Sequence, residues 1–540
     1  MIERAASGKS SSGRYPWRYC YWSALAVIFA WAAWTRFTLP LDPIADPDTW
    51  GYLAPALRKL VGAEFGHTDG RNFVYPAFVF SILRLFGDFR AIVIIQHLLG
   101  LMAGALFLIT WRRARIFVPD SRLSQAAHNG LGLVAATIFL LAGESIRFEM
   151  QLRPEGVSAF LAGLNLYLAV QFASCAFVEK RRWPAVGAGI GIAFSSILLA
   201  SAKPSFAMAG AVALVPVGIF FLKRGWFTQK MALAGGMMLS AALLVLPEHF
   251  LSRDDEQSRT FLPVTLFVNH AKIIRDQMAD DLERGAPVPY SRDWLGRIHE
   301  RLSDEITKAD AARSGHPSDH LMYGENSIAT HLRQEFKNNV SALCAFYWYY
   351  YGRIWRERPF AVLEKIRTRM AFFYSQMCPA YNRDKSLHLA DGYEQGTLVF
   401  SLPSYPELWT SYAPAVDFVR RTEALGRSAP IIRQPAPLRL ALSFLAGAYR
   451  PVLLGTIVIA VAFLFQREYR RRLGWLVVLV AFVYSYNAAS CLEVAILTSL
   501  DVRRYVAVQM FFTLLAQFFA FWFLCEIALQ NRVRSKDSLE

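Results

Sequence analysis

Apolar residues along this chain gather into long unbroken blocks, not into the alternation of a strand or the stripe of an amphipathic helix. The block "AIVIIQHLLGLMAGALFLITW" (Ala91–Trp111) reaches the ~20 residues that carry a helix across the hydrocarbon of a bilayer. Ten blocks predict spans: Cys20–Leu39, Ala91–Trp111, Ala127–Leu141, Glu155–Ala176, Ala185–Ala200, Phe206–Leu222, Met231–Leu246, Leu438–Phe465, Gly474–Asn487 and Tyr505–Leu529. A polar stretch from about Glu248 to Pro437 separates the seventh from the eighth. It is too long for a connection and predicts a folded region or several surface helices. Inside the eighth block, "YRP" (Tyr449–Pro451) predicts a broken or kinked helix. The run "FVYPAFVFSILRLFG" (Phe73–Gly87) is short, carries an early proline and predicts a juxtamembrane or re-entrant helix on the outer face. The pattern predicts an all-α polytopic membrane protein in three parts. These are a seven-span module over 1–247 with a first outer loop at 40–90, an external, mostly helical region over 248–437, and C-terminal transmembrane helices over 438–540.

Composition agrees: 54% of the 540 residues are hydrophobic and 19% are charged, which excludes an ordinary soluble domain. The net charge of +16 is spread over many loops and builds no single basic face, so no nucleic-acid partner is expected. It reports orientation instead. With the N-terminus inside, the cytoplasmic loops are "WRRAR" (Trp111–Arg115), "EKRRW" (Glu179–Trp183), "KRGWFTQK" (Lys223–Lys230), "QREYRRR" (Gln466–Arg472) and the tail "QNRVRSKD", all basic. The topology then closes with both termini cytoplasmic. The polar, basic N-terminal lead into the first block, without a small-residue cleavage site, predicts a signal anchor. Abundant Ala, Leu and Arg, and no ER-type tail, point to a bacterial inner membrane.

On the outer face the sequence collects a set of charges: Asp46 and Asp48 in the Pro40–Asn72 loop, with Glu144, Arg147, Arg153, Glu155, Lys203, Arg503 and Arg504. Tyr52, Arg71 and Tyr75 flank the two acids. A surface carboxylate can take a proton from a hydroxyl and make it a nucleophile. Cations beside it can hold a phosphate as substrate or as leaving group. A sugar joined to a lipid through phosphate presents both needs. The plainer roles stand beside these: Asp46 and Asp48 as helix caps, Arg153-Pro154-Glu155 as a helix start, Lys203 snorkelling to headgroups, and Arg503 with Arg504 on anionic lipid.

Five motifs carry a resemblance: "DTWGY" (Asp48–Tyr52), the "YP" segment leading to "LFGDFRAIVIIQHLLG" (Leu85–Gly100), "RPEGVSAFLAG" (Arg153–Gly163), "SAKPSFAMAG" (Ser201–Gly210) and "DVRRY" (Asp501–Tyr505). With them the chain resembles the GT-C superfamily of membrane glycosyltransferases. It is most similar to the branch of protein O-mannosyltransferases and the bacterial transferase that adds aminoarabinose to lipid A. The likeness runs through about the first 250 residues and the last 40. It implies a GT-C-like fold of seven spans followed by a variable external region. The implied reaction moves a sugar from a polyprenyl-phosphate donor to a hydroxyl of a glycan, lipid or protein acceptor on the extracytoplasmic side, with inversion. It further implies Asp48 as the base, Asp46 as its alternative, Glu155 or Glu144 as the second acid, and Lys203, Arg153 and the Arg503/Arg504 pair on the lipid phosphate. "DPD" stands where the lipid A branch has an adjacent Asp-Glu pair, so both Asp assignments stay open. The residues name no cofactor, and the need for a metal stays open. Two carboxylates one residue apart leave room for a divalent metal, as in the oligosaccharyltransferase branch, without completing a ligand set.

Two rival readings remain. A transporter or flippase of lipid-linked sugars would show charged or broken helices within the membrane and related halves. A polysaccharide polymerase or ligase would use a diphosphate-linked donor. The aromatic run "CAFYWYYYGRIW" (Cys344–Trp355) reads as core or interfacial belt ahead of sugar stacking, and the "RPFAVLEKIRTRMAFFY" that follows it reads as a helix lying on the membrane. His316, His320 and His331 complete no metal-ligand spacing. Cys344 and Cys378 share a polar region and pair only if geometry allows.

Overall fold

The computed structural model describes residues 15–65, 71–252, 255–311, 317–324, 326–401 and 409–537. The first half is a run of helices: α1 (Tyr15–Phe37), α2 (Thr49–Leu60), α3 (Val74–Phe86), α4 (Arg90–Ala114), α5 (Gln125–Leu141), α6 (Gly143–Met150), α7 (Glu155–Ala173), α8 (Arg182–Ala202), α9 (Ala207–Leu222) and α10 (Phe227–Ser252). The C-terminal part holds Ala436–Leu464, Arg467–Leu497, the short Arg503–Ala507 and Met510–Asp537. Among the described residues, eight helices are long and apolar enough to cross a membrane, or up to nine if α5 and α6, bent by 48°, count as one span. The chain is an all-α, multi-pass integral membrane protein.

Eight of the ten expected spans coincide with helices of that length and composition among the described residues. The first, α1, has the length of a span at 23 residues, but its tryptophans and arginines leave it outside the eight. The third is half of the bent pair. Two boundaries also differ. Ala436–Leu464 is one continuous helix with Pro451 inside it, not two pieces. Arg467–Leu497 continues well past Asn487 because Glu493, a charge that reads as loop, is buried and accepts the backbone N–H of Met208 at 2.7 Å. The run at 73–87 is the 13-residue α3, too short to cross. Gly87 ends it with φ of 63°, a conformation glycine adopts without a Cβ clash.

The helices pack α4 on α7, α7 on α8, and α8 on α9 and α10. The last helix is the most buried of the eight. Its Phe519 and Trp522 pack on Trp111, whose indole N–H donates to the His128 carbonyl at 2.7 Å. The basic loops meet at one end. Arg113 pairs with Glu179, Lys223 reaches the Ala176 carbonyl, Trp475 packs on Phe117 and Phe177, and the Tyr469 hydroxyl donates to Asn531. The acid-bearing loops meet at the other.

The stretch between α10 and Ala436 is mostly helical. Its longest aromatic helix, Val340–Glu357, buries Phe346, Tyr347 and Tyr350 against Phe267, Tyr290 and Trp294, so the aromatic run is core. Pro359–Phe373 follows it with Val362 and Ile366 inward and Phe360 and Leu363 exposed, as suits a helix lying on a membrane. Two three-residue strands, Ser386–His388 and Ile431–Arg433, pair antiparallel and share a small apolar cluster with Ile44, Ile146 and Met150. Cys344 and Cys378 are both free thiols.

Lys365 is the odd group of this region. Its ammonium sits 3.2 Å from His270 Nε2 and 3.3 Å from the Ile496 carbonyl. Burial, aided by the Arg369 cation, pulls it down to about 7, and burial with the Lys365 charge pulls His270 to about 3. The unfolded chain keeps the lysine proton to about pH 10.4, whereas the folded chain releases it near 7. The group therefore opposes folding below pH 7, and that opposition fades as pH rises. Wild type should gain on the order of 2 kcal/mol from this site between pH 7 and 9. Lys365→Met should lose that gain in thermal unfolding followed at both pH values.

Candidate functional site

The site is built by a backbone splice. Ile44 N–H donates to the Met150 carbonyl at 2.8 Å and Leu152 N–H to the Ile44 carbonyl at 2.9 Å, a parallel bridge that fixes the acidic loop beside Arg153. The two aspartates then take different roles. Asp46 turns inward over the start of α2: its Oδ1 accepts from Asp48 N–H at 3.0 Å and Thr49 N–H at 3.2 Å, while Thr49 Oγ1 accepts from Asp46 N–H at 2.9 Å. This is a reciprocal helix cap. Its second oxygen faces Arg153 Nε at 2.5 Å, and burial pushes its carboxyl above the ordinary range.

Asp48 makes no cap. Its half-buried carboxylate meets three guanidiniums from distant parts of the chain: Arg71 at 2.8 Å, Arg504 at 2.7 Å, and Arg153. Burial alone would raise this carboxyl; Arg153, Arg71 and Arg504 together hold it well below the usual carboxylate range. Arg71 can lie across α2 because of Gly51, where a Cβ would stand 3.0 Å from Arg71 Cγ. Next to this group, Lys203 pairs with Glu155 at 2.7 Å, both buried. Four cations thus face three carboxylates at one end of the helices.

Aromatic rings line the cations. Arg71 lies over Tyr52 at 5.3 Å, and Arg504 and Lys203 lie over Tyr505 at 4.9 and 5.2 Å. Tyr52 meets Tyr75 edge-on, and the Tyr75 hydroxyl donates to Gln96 Oε1 at 2.9 Å. Burial pushes the Tyr52 phenol up to about 12, so it is a neutral hydroxyl here.

The remaining expected residues form a second, adjoining cluster. Glu144 is buried against Arg147, accepts from Asn382 at 2.7 Å and lies 3.6 Å from Arg503, which pairs with Asp384 at 2.7 Å. Arg503 and Arg504 are neighbours in sequence yet serve different clusters. Of the two candidate second acids, Glu144 faces Arg147, Arg503 and Asn382, and Glu155 pairs with Lys203 beside the Asp48 group.

Sequence reasoning missed several members. Tyr505 and Gln96 lie inside the motifs quoted above, Tyr505 opening the last apolar block and Gln96 within the second. Phe261, under Arg71 at 5.4 Å, and Tyr323, within electrostatic range of Arg71 and Asp48, come from the polar region, where no pattern marks them. The residues do not fit a divalent cation. Guanidiniums occupy both oxygens of Asp48, and among the described residues no three His, Cys, Asp or Glu side chains converge as metal donors. His316 lies outside the described residues.

No family model, curated protein or solved structure matches the chain.

Proposed function

We propose that this protein is a GT-C-like membrane glycosyltransferase that moves a sugar from a polyprenyl-phosphate donor to an acceptor hydroxyl, with Asp48 as the base. The observation that carries the reading is the Asp48 carboxylate in contact with Arg71, Arg153 and Arg504, with Lys203 alongside. The reaction faces the extracytoplasmic side, with the basic end and both termini in the cytoplasm, following the positive-inside bias of the loops.

A carboxylate held this low is a weak base at rest. An arriving phosphate competes for the same guanidiniums, and each one drawn onto it raises the proton affinity of Asp48. The acceptor hydroxyl then gives its proton to Asp48 while its oxygen bonds to the anomeric carbon. The bond from that carbon to the phosphate oxygen breaks on the opposite face, and polyprenyl phosphate leaves with its charge on Arg71, Arg153 and Arg504. Asp46, committed to the helix cap, positions Arg153.

Four cations would also suit a diphosphate donor, which keeps the polymerase or ligase reading as the second. The transporter reading calls for charge within the helices. The buried Arg36–Glu149 pair, joined by His97 two turns into α4, has that character. Arg504→Gln is expected to weaken polyprenyl phosphate binding by roughly tenfold or more, the worth of a charge-assisted hydrogen bond. Native mass spectrometry of the detergent-solubilised protein reads this directly, and unchanged affinity would count against the site.

A further inference from the structure

At the end of the bundle opposite Asp48 lies an open surface groove of about 570 Å³ lined by Ile109, Arg112, Arg113, Arg115, Gln125 and Tyr167. The 25-residue α4 connects the two ends, a distance of roughly 36 Å at 1.5 Å per residue. Its last turn delivers Arg112 and Arg113, and the 3-10 turn that follows delivers Arg115.

Their partners differ. Arg113 is neutralised: it grips Glu179 with both terminal nitrogens and donates to Ser174 Oγ at 2.9 Å. Arg115 donates to the Leu123 carbonyl at 2.9 Å, and Arg112 lies over the Tyr21 and Trp22 rings at 6.0 and 5.7 Å. Neither forms an ion pair with a carboxylate among the described residues. Glu526, the nearby acid, already accepts from Ser121 Oγ, the backbone of Arg122 and Leu123, and Trp522. Cations at a helix C-terminus favour the helix dipole, which explains basic residues here but not a groove of this size between them. Ile109 and Arg112 are exposed on the flank of the bundle, where lipid would lie. The groove thus offers two guanidiniums above an apolar wall, Arg112 over aromatic rings and Arg115 in the field of Glu526 without a direct ion pair to it, the division of chemistry that a phospholipid presents in its headgroup and chains.

We infer that this groove binds the phosphodiester headgroup of an anionic phospholipid, with Arg112 and Arg115 on the phosphate. This is independent of the activity at Asp48. The test uses the full chain in detergent, with phosphatidylglycerol, phosphatidylcholine or inorganic phosphate added, read by native mass spectrometry and thermal shift. Wild type should retain phosphatidylglycerol over phosphatidylcholine. The double variant Arg112→Gln/Arg115→Gln should lose roughly 20-fold in that retention. Arg224→Gln, which removes an exposed cation at the same end outside the groove, should lose none. The single Arg112→Gln, at an exposed position, reports the effect if the double variant does not fold. Equal retention of phosphatidylcholine, or phosphatidylglycerol binding unchanged in the variants, overturns the assignment. Equal protection by inorganic phosphate alone identifies a free-phosphate site and overturns the lipid source.

Discussion

Replacing Asp48 with Asn should lower sugar transfer by about 10²–10⁴-fold, the range for loss of a positioned general base, with the protein still inserted and folded. The amide has the shape of the carboxylate and cannot take a proton from the acceptor. It also leaves Arg71, Arg153 and Arg504 without their shared anion, so donor binding should be kept or strengthened while turnover falls. Asp46→Asn is the informative partner. Asn caps a helix as well as Asp does, and the hydrogen bonds of Asp46 run to the first turn of α2. That variant should lose about 1 kcal/mol or less of stability and keep turnover within about tenfold, the loss reflecting the weaker hold of an amide on Arg153. Single-turnover release of polyprenyl phosphate, with gel filtration as the folding control, separates the two. Equal losses in both variants would return the acids to a purely structural role.

The largest stability effect is expected at Arg36. Its guanidinium is fully buried, meets Glu149 at 2.7 and 2.8 Å, and donates to the Leu140 carbonyl at 2.7 Å, while His97 Nδ1 lies 2.8 Å from the same carboxylate. Nothing can slide in to replace it: a Cβ on Gly100 would stand 2.0 Å from Glu149 Oε1. Arg36→Met would strand a buried carboxylate, at a cost of about 3–5 kcal/mol. Adding Glu149→Gln should recover most of that loss, because an ion pair removed whole is far cheaper than one removed by half. The midpoint of thermal unfolding in detergent measures both, and an unchanged midpoint in the single variant would show that the pair carries no such burden. The effect also reaches the site. Gln96 holds the Glu149 and Gln151 carbonyls at 2.7 and 2.9 Å, next to the Met150–Leu152 segment to which Ile44 is spliced.

The spans were legible because lipid requires unbroken apolar runs, and a run such as Ala91–Trp111 has no other stable reading. What escaped was polar sequence that pairs internally. Gly143–Met150 reads as a loop because it holds Glu144, Arg147 and Glu149, yet Arg147 and Arg36 neutralise two of these charges and the segment is helical. Glu493 misled in the same way. Pro451 reads as a break or a kink, and the helix from Ala436 runs through it unbroken.

For the candidate site, residue type and membrane side were enough to collect Asp48, Arg71, Arg153, Glu155, Lys203 and Arg504. They were not enough to separate Glu144, Arg147 and Arg503, since that division depends on which way neighbouring side chains point from the short Arg503–Ala507 helix. Nor could they choose between Asp46 and Asp48 as acids. The geometry distinguishes them by their partners: Asp46 divides its oxygens between backbone N–H groups and Arg153, whereas Asp48 meets guanidiniums alone. Phe261 and Tyr323 needed the fold of the polar region, which no periodicity announces.

The most direct test of sugar transfer at Asp48 is release of polyprenyl phosphate by wild-type protein in proteoliposomes, given polyprenyl monophosphate sugars and an acceptor pool. The proposed reaction predicts release that requires acceptor, yields an inverted glycoside and disappears with Asp48→Asn. Intact lipid-linked sugar moved across the bilayer, or turnover of diphosphate donors alone, would contradict it.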